Sequence, residues 1–217
     1  MKAYIFDLDG TLLDSMEVWD NLNYDFLHNR GIEMPEDFRA KVLSLSLPES
    51  AAYTIERFGL PESVEELVRE WYEMVLYAYT HTVRMKPYAK EYLLALKERG
   101  AKMAVATSLP AGLYEPALRA HGIYDLFDAL CDAEQAGYGK TRPDMFMLAA
   151  KKLGVQPSDC VVFEDIYAAV LSAKSIGMTV YAVRDASSDD DREGINETAD
   201  FLIDDFYGLY KELTENY

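Results

Sequence analysis

With 217 residues, of which 50% are hydrophobic and 27% charged, the chain has room for one or two soluble domains with a sizeable core. Its net charge of −17, from 38 acidic and 21 basic residues, argues against a nucleic acid as partner. The sequence has no apolar run of about 18 residues and no basic, apolar leader, so we expect a cytoplasmic protein that does not bind membranes.

The first predicted element is a short buried strand over residues 3–6, which runs directly into Asp7, Leu8, Asp9 and Gly10. Residues two apart on an extended backbone point to the same side, so Asp7 and Asp9 are expected to face one small volume. Two close carboxylates repel each other, and a divalent cation or a shared proton would relieve that repulsion. A solvated turn is the alternative, because Asp and Gly are common turn residues.

Residues 15–83 have the pattern of four helices and contain no convincing strand. The first predicted helix ends near Arg30 and Gly31. The other three cover about residues 37–45, 48–58 and 61–79. The aromatic stripe of the last helix, which includes Trp71 and Tyr79, indicates helix packing rather than a binding site. This block therefore interrupts the strand pattern that begins at residue 3.

Beyond residue 84, predicted helices and strands alternate. The predicted strands cover residues 102–106, 127–131, 160–163, 179–183 and 201–203, and the predicted helices about residues 87–99, 112–120, 144–153, 166–175 and 206–213. Alternation of this kind predicts an α/β fold with a Rossmann-like parallel sheet. We expect a discontinuous core made of residues 1–14 and 84–217, with a four-helix domain inserted at residues 15–83.

Polar side chains follow several of these strands, where ligands bind to open α/β sheets. They are Asp7, Asp9, Thr107, Ser108, Lys140, Glu164 and Asp165. Each type has an ordinary structural alternative, since hydroxyls cap helices, loop lysines are solvated and paired acids suit a helix N-terminus. Gathered at successive strand ends, however, they favour a common site.

This set of groups suits phosphoryl transfer. A carboxylate can attack phosphorus to form an aspartyl-phosphate, and a second carboxylate can protonate the leaving oxygen and then activate water. Mg²⁺ prefers oxygen ligands and offsets negative charge, while a lysine, hydroxyls and backbone N–H groups can hold phosphate oxygens.

Four short segments resemble, in order and spacing, the four motifs of the haloacid dehalogenase-like (HAD) hydrolase superfamily. They are residues 6–11, Thr107 with Ser108, Lys140 with Pro143 and Asp144 behind it, and residues 163–165. The first is the most specific, and together they span almost the whole core. The helical insertion resembles the α-helical cap of the subfamily that contains β-phosphoglucomutase and many small-metabolite phosphatases.

The resemblance implies a role for each of the polar residues in catalysis. Asp7 would be the nucleophile and Asp9 the general acid and base, while Thr107 would hydrogen-bond the phosphoryl group and Lys140 would neutralise it. Leu8 and Ser108 would complete the phosphate-binding set.

The resemblance also implies a Mg²⁺ site. Asp7 and Asp165 would ligate the ion through their carboxylates, and Asp9 through its backbone carbonyl. Glu164 would either be a direct ligand or order a metal-bound water.

Some positions depart from the common pattern of the superfamily. Ile166 stands where a serine is frequent, Ala169 and Tyr88 where glycines are usual, and Thr141 with Arg142 where Pro and a small residue are usual. None of these departures removes a catalytic group. Arg142 would reach a substrate anion or, more simply, be a solvated arginine.

We expect a Mg²⁺-dependent phosphatase that acts on a small phosphorylated metabolite, as a monomer or weak homodimer. A β-phosphoglucomutase-like mutase is the alternative, but residues 42–50, aligned with the mutase's substrate loop, contain no Arg, Lys or His. Trp19 also falls where the mutase carries a histidine. A dehalogenase would not need Asp9 and Asp165, and a non-catalytic phosphate- or partner-binding protein would not need the full catalytic set.

Overall fold

A computed structural model describes residues 2–42, 45 and 47–215 of the chain. The chain forms two compact units, one made of Met1–Met16 with Val83–Tyr217 and the other of Glu17–Thr82. Each unit has its own hydrophobic core, and only the first contains a sheet among the described residues. Within the described part of the chain, no helix is long and apolar enough to cross a membrane.

The sheet unit is built on strands that are mostly four to six residues long. In chain order the strands are β1 (Ala3–Phe6), β2 (Leu13–Asp14), β3 (Arg84–Met85), β4 (Lys102–Thr107), β5 (Ala129–Asp132), β6 (Cys160–Glu164), β7 (Thr179–Val183) and β8 (Phe201–Ile203). Six of them form one sheet in the order β5-β4-β1-β6-β7-β8, with every neighbouring pair parallel. The predicted α/β fold with a parallel sheet is therefore confirmed.

Helices connect these strands and cover the sheet. In chain order the α-helices of the described residues are α1 (Met16–His28), α2 (Glu36–Val42), α3 (Leu47–Phe58), α4 (Val64–His81), α5 (Ala89–Glu98), α6 (Ala111–Ala120), α7 (Ala133–Ala136), α8 (Asp144–Leu153), α9 (Tyr167–Ser175), α10 (Arg192–Thr198) and α11 (Tyr207–Glu215). The short α7 and α10 and the small β2–β3 ribbon were not predicted. α7 is about one helical turn, each ribbon strand has two residues, and α10 has Ile195 as its one large apolar residue, so none of them shows a periodic pattern. Residues 186–191, which include an acidic run, form a 3-10 helix.

Alternation along the strands separates two faces of the sheet. Ile5, Val162 and Val180 belong to the buried cluster beneath α8 and α9. On the other face, Phe6 stacks on Phe163 with ring centroids 4.7 Å apart, within a larger aromatic group. Both faces are buried, which is why these strands consist of nearly continuous apolar residues.

The register of the sheet decides which side chains meet at its edge. Phe6 of β1 lies opposite Phe163 of β6 on one side and Val105 of β4 on the other. The next residues along these strands therefore leave the sheet at the same end. The order of strands reverses at β1, and a crevice forms at such a point in doubly wound folds.

The helical unit contains α2, α3, α4 and most of α1. Its core includes Phe26 and Trp71, whose rings meet edge to face at 5.6 Å. Ser63 and Glu66 form a reciprocal capping box at the start of α4, which satisfies two N–H groups that the helix leaves without partners. The predicted helix over about residues 37–45 ends, within the described residues, at Val42.

Tyr88 has a left-handed backbone with φ of +60°. A glycine is usual at this position in the superfamily that the sequence motifs resemble. A residue with a side chain pays roughly 1–2 kcal/mol for this conformation. Its ring packs against Tyr207 and Tyr210 of α11, with centroids 4.8 and 5.9 Å away. This packing offsets the strain that glycine would avoid.

Both cysteines are buried free thiols. Cys131 lies on β5 and Cys160 on β6, and the sheet order places β4 and β1 between these two strands.

Candidate active site

The loop after β1 turns sharply around the carbonyl of Leu8. That oxygen accepts the N–H groups of Thr11, Leu12 and Leu13 at 3.3, 2.9 and 2.8 Å. Gly10 makes the turn possible with φ of +72°. As a result the chain folds back directly after the strand, and Asp7 is held at the strand end with its own N–H bonded to the carbonyl of Phe163 at 3.0 Å.

The neighbouring strand β6 ends at Glu164 and is followed by Asp165, and both residues are buried. Glu164 Oε1 accepts the backbone N–H groups of Asp165 and Ile166 at 3.2 and 3.3 Å. Thr11 donates its hydroxyl to Asp165 Oδ1 at 3.1 Å, which links the loop after β1 to the loop after β6. The two loops therefore present their carboxylates to each other.

Asp7, Glu164 and Asp165 form one buried acidic cluster. Each contributes a carboxylate oxygen, and these oxygens all lie within 4.8 Å of one another. Three anionic groups at such distances repel each other strongly in a buried site. The cluster therefore needs cations close by.

Lys140 supplies a cation from the loop that follows α7. Its ammonium group forms an ion pair with Asp7 and a second one, at 2.9 Å, with Glu164. The lysine side chain is only 7% exposed, so both pairs are shielded from solvent. The predicted lysine thus lies against the predicted nucleophile.

The pKa values follow from this crowding. Burial, and then the charge of Glu164, raises the pKa of Asp7 well above its ordinary range, although Lys140 acts against the shift. Burial and Glu164 likewise raise the pKa of Asp165 to about 8. Burial alone would lower the pKa of Lys140, but the carboxylates of Asp7 and Glu164 outweigh that effect and raise it.

Asp9 lies beside this cluster rather than within it. It is half-buried, and its Oδ1 accepts a hydrogen bond from the hydroxyl of Ser15 at 2.6 Å. Ser15 itself is fully buried. The carboxylate of Asp9 therefore has a fixed partner next to Asp7.

The remaining predicted residues lie at the same edge of the sheet. Thr107 ends β4, is buried, and accepts the N–H of Leu109 on its hydroxyl oxygen at 3.1 Å. Ser108 follows it and is exposed, whereas Leu8 is buried. Because β4 and β1 are parallel neighbours, these residues leave the sheet beside Asp7.

Sequence reasoning assigned no role to three further polar residues here. Thr11 was quoted only as part of a motif, and Ser188, whose hydroxyl lies 3.4 Å from Asp165 Oδ2, was not singled out. Asp132 ends β5 and accepts from Tyr114 and from the N–H of Gln135, so it caps α7. Asp132 lies directly after the predicted strand at residues 127–131, and Ser188 lies in the segment after β7, where no polar residue was named, so a closer inspection of both strand ends would have found them.

The donor set fits a hard divalent cation. Three carboxylates supply oxygen ligands of the kind that Mg²⁺ prefers, and the raised pKa values of Asp7 and Asp165 reflect negative charge that an ion would offset. Lys140 is too small a counter-charge to neutralise three carboxylates by itself. The residues present therefore suit the predicted metal.

Comparison with known proteins gives a consistent result. Residues 1–177 match the family of haloacid dehalogenase-like hydrolases. The chain is 28% identical to a phosphorylated carbohydrates phosphatase of Thermotoga maritima over 84% of this chain and 85% of that protein. It is 29% identical to hexitol phosphatase B of Escherichia coli strain K12, over 81% and 80% respectively.

A solved structure resembles the protein over its whole length. The crystal structure of a putative β-phosphoglucomutase from Thermotoga maritima superposes with a TM-score of 0.84 at 26% identity, covering 100% of both chains.

The close approach at Gly10 can be tested by Gly10→Ala. An added Cβ would lie 2.3 Å from Asp165 Oδ2, so the carboxylate must move away from Thr11. Gly100→Ala is the matched control, because Gly100 has a similar φ of +69° and nothing within 4 Å of the added atom. We expect the control to lose roughly 1–2 kcal/mol of unfolding free energy for its backbone alone. Gly10→Ala should lose about 2 kcal/mol more in urea unfolding, and equal losses would contradict the steric explanation.

Proposed function

Because the chain belongs to the haloacid dehalogenase-like hydrolase family, we propose that it is a Mg²⁺-dependent phosphatase that hydrolyses a small phosphorylated metabolite through an aspartyl-phosphate. The observation that carries this proposal is the buried cluster of Asp7, Glu164 and Asp165, with Lys140 paired to the first two. A nucleophilic carboxylate, acidic metal ligands and a cation for the phosphoryl group are the parts that this reaction requires.

The cation would be held by Asp7 and Asp165, with the backbone carbonyl of Asp9 as a further ligand. Glu164 already accepts hydrogen bonds from two backbone N–H groups and from the ammonium group of Lys140, so it would hold Lys140 and the loop after β6 in place. When bound, Mg²⁺ offsets negative charge on the phosphoryl group.

In the first half of the reaction, a carboxylate oxygen of Asp7 forms a bond to phosphorus while the ester P–O bond breaks. Asp9 donates a proton to the leaving oxygen, so the product leaves as a neutral alcohol. Lys140, Thr107 and Ser108 would hold the phosphoryl oxygens, together with the backbone at Leu8.

In the second half, Asp9 is a carboxylate and takes a proton from water. The water oxygen bonds to phosphorus while the bond to Asp7 breaks, which releases inorganic phosphate and regenerates both aspartates. Asp9 is suited to this double task because it is half-buried beside Asp7 and oriented by Ser15.

The relatives support a phosphorylated sugar or sugar alcohol as substrate class, since their names refer to phosphorylated carbohydrates and to hexitol. A net charge of −17 repels anions in general, so binding would depend on the local cations of the site. The helical unit, residues 17–82, would act as the cap that selects among such esters.

A sugar-phosphate mutase is the second candidate, because the similar solved structure carries that description. A mutase must grip a second phosphate, which calls for a cationic group in the cap. Residues 42–50 contain none, although Leu43, Ser44 and Ser46 of this segment lie outside the described residues. Trp19 donates its indole N–H to Tyr79 at 2.9 Å instead of supplying a cation. These features favour hydrolysis.

The proposed reaction is tested by measuring phosphate release from a panel of sugar, sugar-alcohol and nucleotide monophosphates. We expect turnover with Mg²⁺, complete loss with EDTA, and recovery when Mg²⁺ is restored in excess. Conversion of glucose 1-phosphate to glucose 6-phosphate without phosphate release would identify a mutase instead. No turnover on any ester would contradict both.

The nucleophile is tested by Asp7→Asn, which keeps the shape of the side chain and removes its charge. We expect turnover to fall by at least about 10³-fold, while binding of a phosphate analogue such as vanadate persists. Asp132→Asn is the matched control, because Asp132 is equally buried, at 4% exposure, but caps α7. It should retain activity within a few-fold, and comparable losses in both variants would contradict the assignment.

The raised pKa of Asp165, about 8, predicts how the effect of Mg²⁺ depends on pH. A carboxyl group whose pKa is raised by folding stabilises the folded state fully at pH values below its pKa in the unfolded chain. This contribution is lost as the pH rises toward its folded pKa of about 8. At about pH 6, Mg²⁺ must displace a proton at a cost of about 2.7 kcal/mol, whereas at about pH 8.5 only about a quarter of a proton is displaced, at a cost of about 0.2 kcal/mol. The Mg²⁺-induced rise in thermal unfolding midpoint should therefore be larger at the higher pH.

The control for this pH dependence is Asp165→Asn, in which the titrating group is absent. The thermal unfolding midpoint of this variant should respond little to Mg²⁺ at either pH. An equal response of the unmodified protein at both values would show that metal binding is not coupled to this carboxyl group.

A further inference from the structure

The segment after β7 forms a tight turn around Asp185. Its Oδ1 accepts both the backbone N–H and the hydroxyl of Ser187, at 2.9 and 2.6 Å, and its carbonyl accepts the N–H of Ser188 at 3.2 Å. These bonds cap the 3-10 helix of residues 186–191, which begins directly after Asp185 and contains both Ser187 and Ser188. The position of Ser188 is therefore determined by the position of Asp185.

Asp185 is anchored in turn by a buried ion pair. Lys86 Nζ lies 2.6 Å from Asp185 Oδ2, and the two side chains are only 12% and 6% exposed. The attraction of Lys86 and the bonds from Ser187 outweigh burial and lower the pKa of Asp185, so the carboxylate is ionised at neutral pH. Buried pairs of this kind contribute little net stability but hold their surroundings in one arrangement.

The other end of this connection is the loop that carries the proposed nucleophile. The backbone N–H of Lys86 donates to the carbonyl of Leu12 at 2.9 Å. Leu12 donates its own N–H to Leu8, directly after Asp7. The ion pair thus ties the turn after β7 to the loop after β1, although the residues of the pair are 99 positions apart in sequence.

Ser188 reaches the acidic cluster from this anchored turn. Its hydroxyl lies 3.4 Å from Asp165 Oδ2, while the hydroxyl of Thr11 donates to Oδ1 of the same carboxylate at 3.1 Å. Each oxygen of Asp165 therefore faces a different hydroxyl group. The contact of Ser188 is longer than the usual range of about 2.5–3.0 Å for an O–H···O hydrogen bond, so it is weak and a small shift of the turn would remove it.

We propose that Ser188 is a positioning residue that orients Asp165 for divalent-cation binding, and that the Lys86–Asp185 pair holds Ser188 in place. The proposal rests on the proposed function, in which Asp165 is a metal ligand. A ligating carboxylate must keep one oxygen toward the ion, and a hydroxyl on the other oxygen resists rotation away from it. Partners of this kind typically change metal affinity by about 10- to 100-fold.

The test is Ser188→Ala, with Mg²⁺ affinity measured by isothermal titration calorimetry. We expect the dissociation constant to rise about tenfold. The thermal unfolding midpoint of the metal-free protein should be nearly unchanged, and kcat at saturating Mg²⁺ should remain within about threefold. Ser175→Ala is the matched control, because the hydroxyl of Ser175 donates to the carbonyl of Ser172 at the end of α9.

Two further variants separate positioning from a merely structural role. Ser188→Thr keeps the hydroxyl and should bind Mg²⁺ within about threefold of the unmodified protein. Asp185→Asn keeps the shape of the anchor but removes its charge, and should weaken Mg²⁺ binding about as much as Ser188→Ala does. Combining it with Ser188→Ala should add little, because both act through the same contact.

The outcomes distinguish this proposal from the proposed function. If the unmodified protein binds no Mg²⁺, both fail together. If it binds Mg²⁺ and Ser188→Ala binds equally tightly, the positioning role is wrong while the metal site stands. A loss of stability in Ser188→Ala without a change in Mg²⁺ affinity would likewise overturn the positioning role.

Discussion

The constraint on which the rest of the structure depends is the burial of several carboxylates at one point. Asp7, Glu164 and Asp165 place oxygens within 4.8 Å of one another, and Lys140 contacts two of them. Burial and the neighbouring carboxylates raise the pKa values of Asp7 and Asp165, because the ionised forms are unfavourable in this cluster. A site in this condition attracts cations strongly, and the proposed reaction uses that attraction to place a metal ion and a phosphoryl group side by side.

The fold meets this constraint through its strand order. Parallel strands point their carboxyl ends to one edge, and β1 lies between β4 and β6, so loops that are distant in sequence meet there. Backbone N–H groups, hydroxyl groups and one ammonium group then supply the hydrogen bonds that buried carboxylates need. The turn after β7 adds a further layer, because its buried Lys86–Asp185 pair links the loops on either side of the cluster. The arrangement of the acidic cluster is thus supported by groups that lie outside it.

The helical unit poses a different problem, since its described part contains no group of three or more His, Cys, Asp or Glu side chains that could hold a metal ion. Its aromatic core around Phe26 and Trp71 and the capping box at Ser63 explain why it folds into a compact unit. In the proposed function, the shape of this unit would decide which ester binds, and short sequence motifs do not predict that shape. The domain boundaries, the role of this unit as a cap and the individual site residues remain predictions, whereas the family and the α/β fold are shown.

The sequence by itself determined the strands and longer helices, because buried strands and amphipathic helices carry strong periodic signals; it matched β1 and β7 at both ends. It also determined the chemical type of the site, since its acids, hydroxyls and lysine follow successive strands. Only the tertiary structure decided which oxygen meets which donor. Thr11 and Asp165 are 154 positions apart, and their contact follows from strand register rather than from any local pattern. The same holds for Lys86 and Asp185, because long-range polar contacts depend on how whole elements pack, which short-range periodicity does not encode.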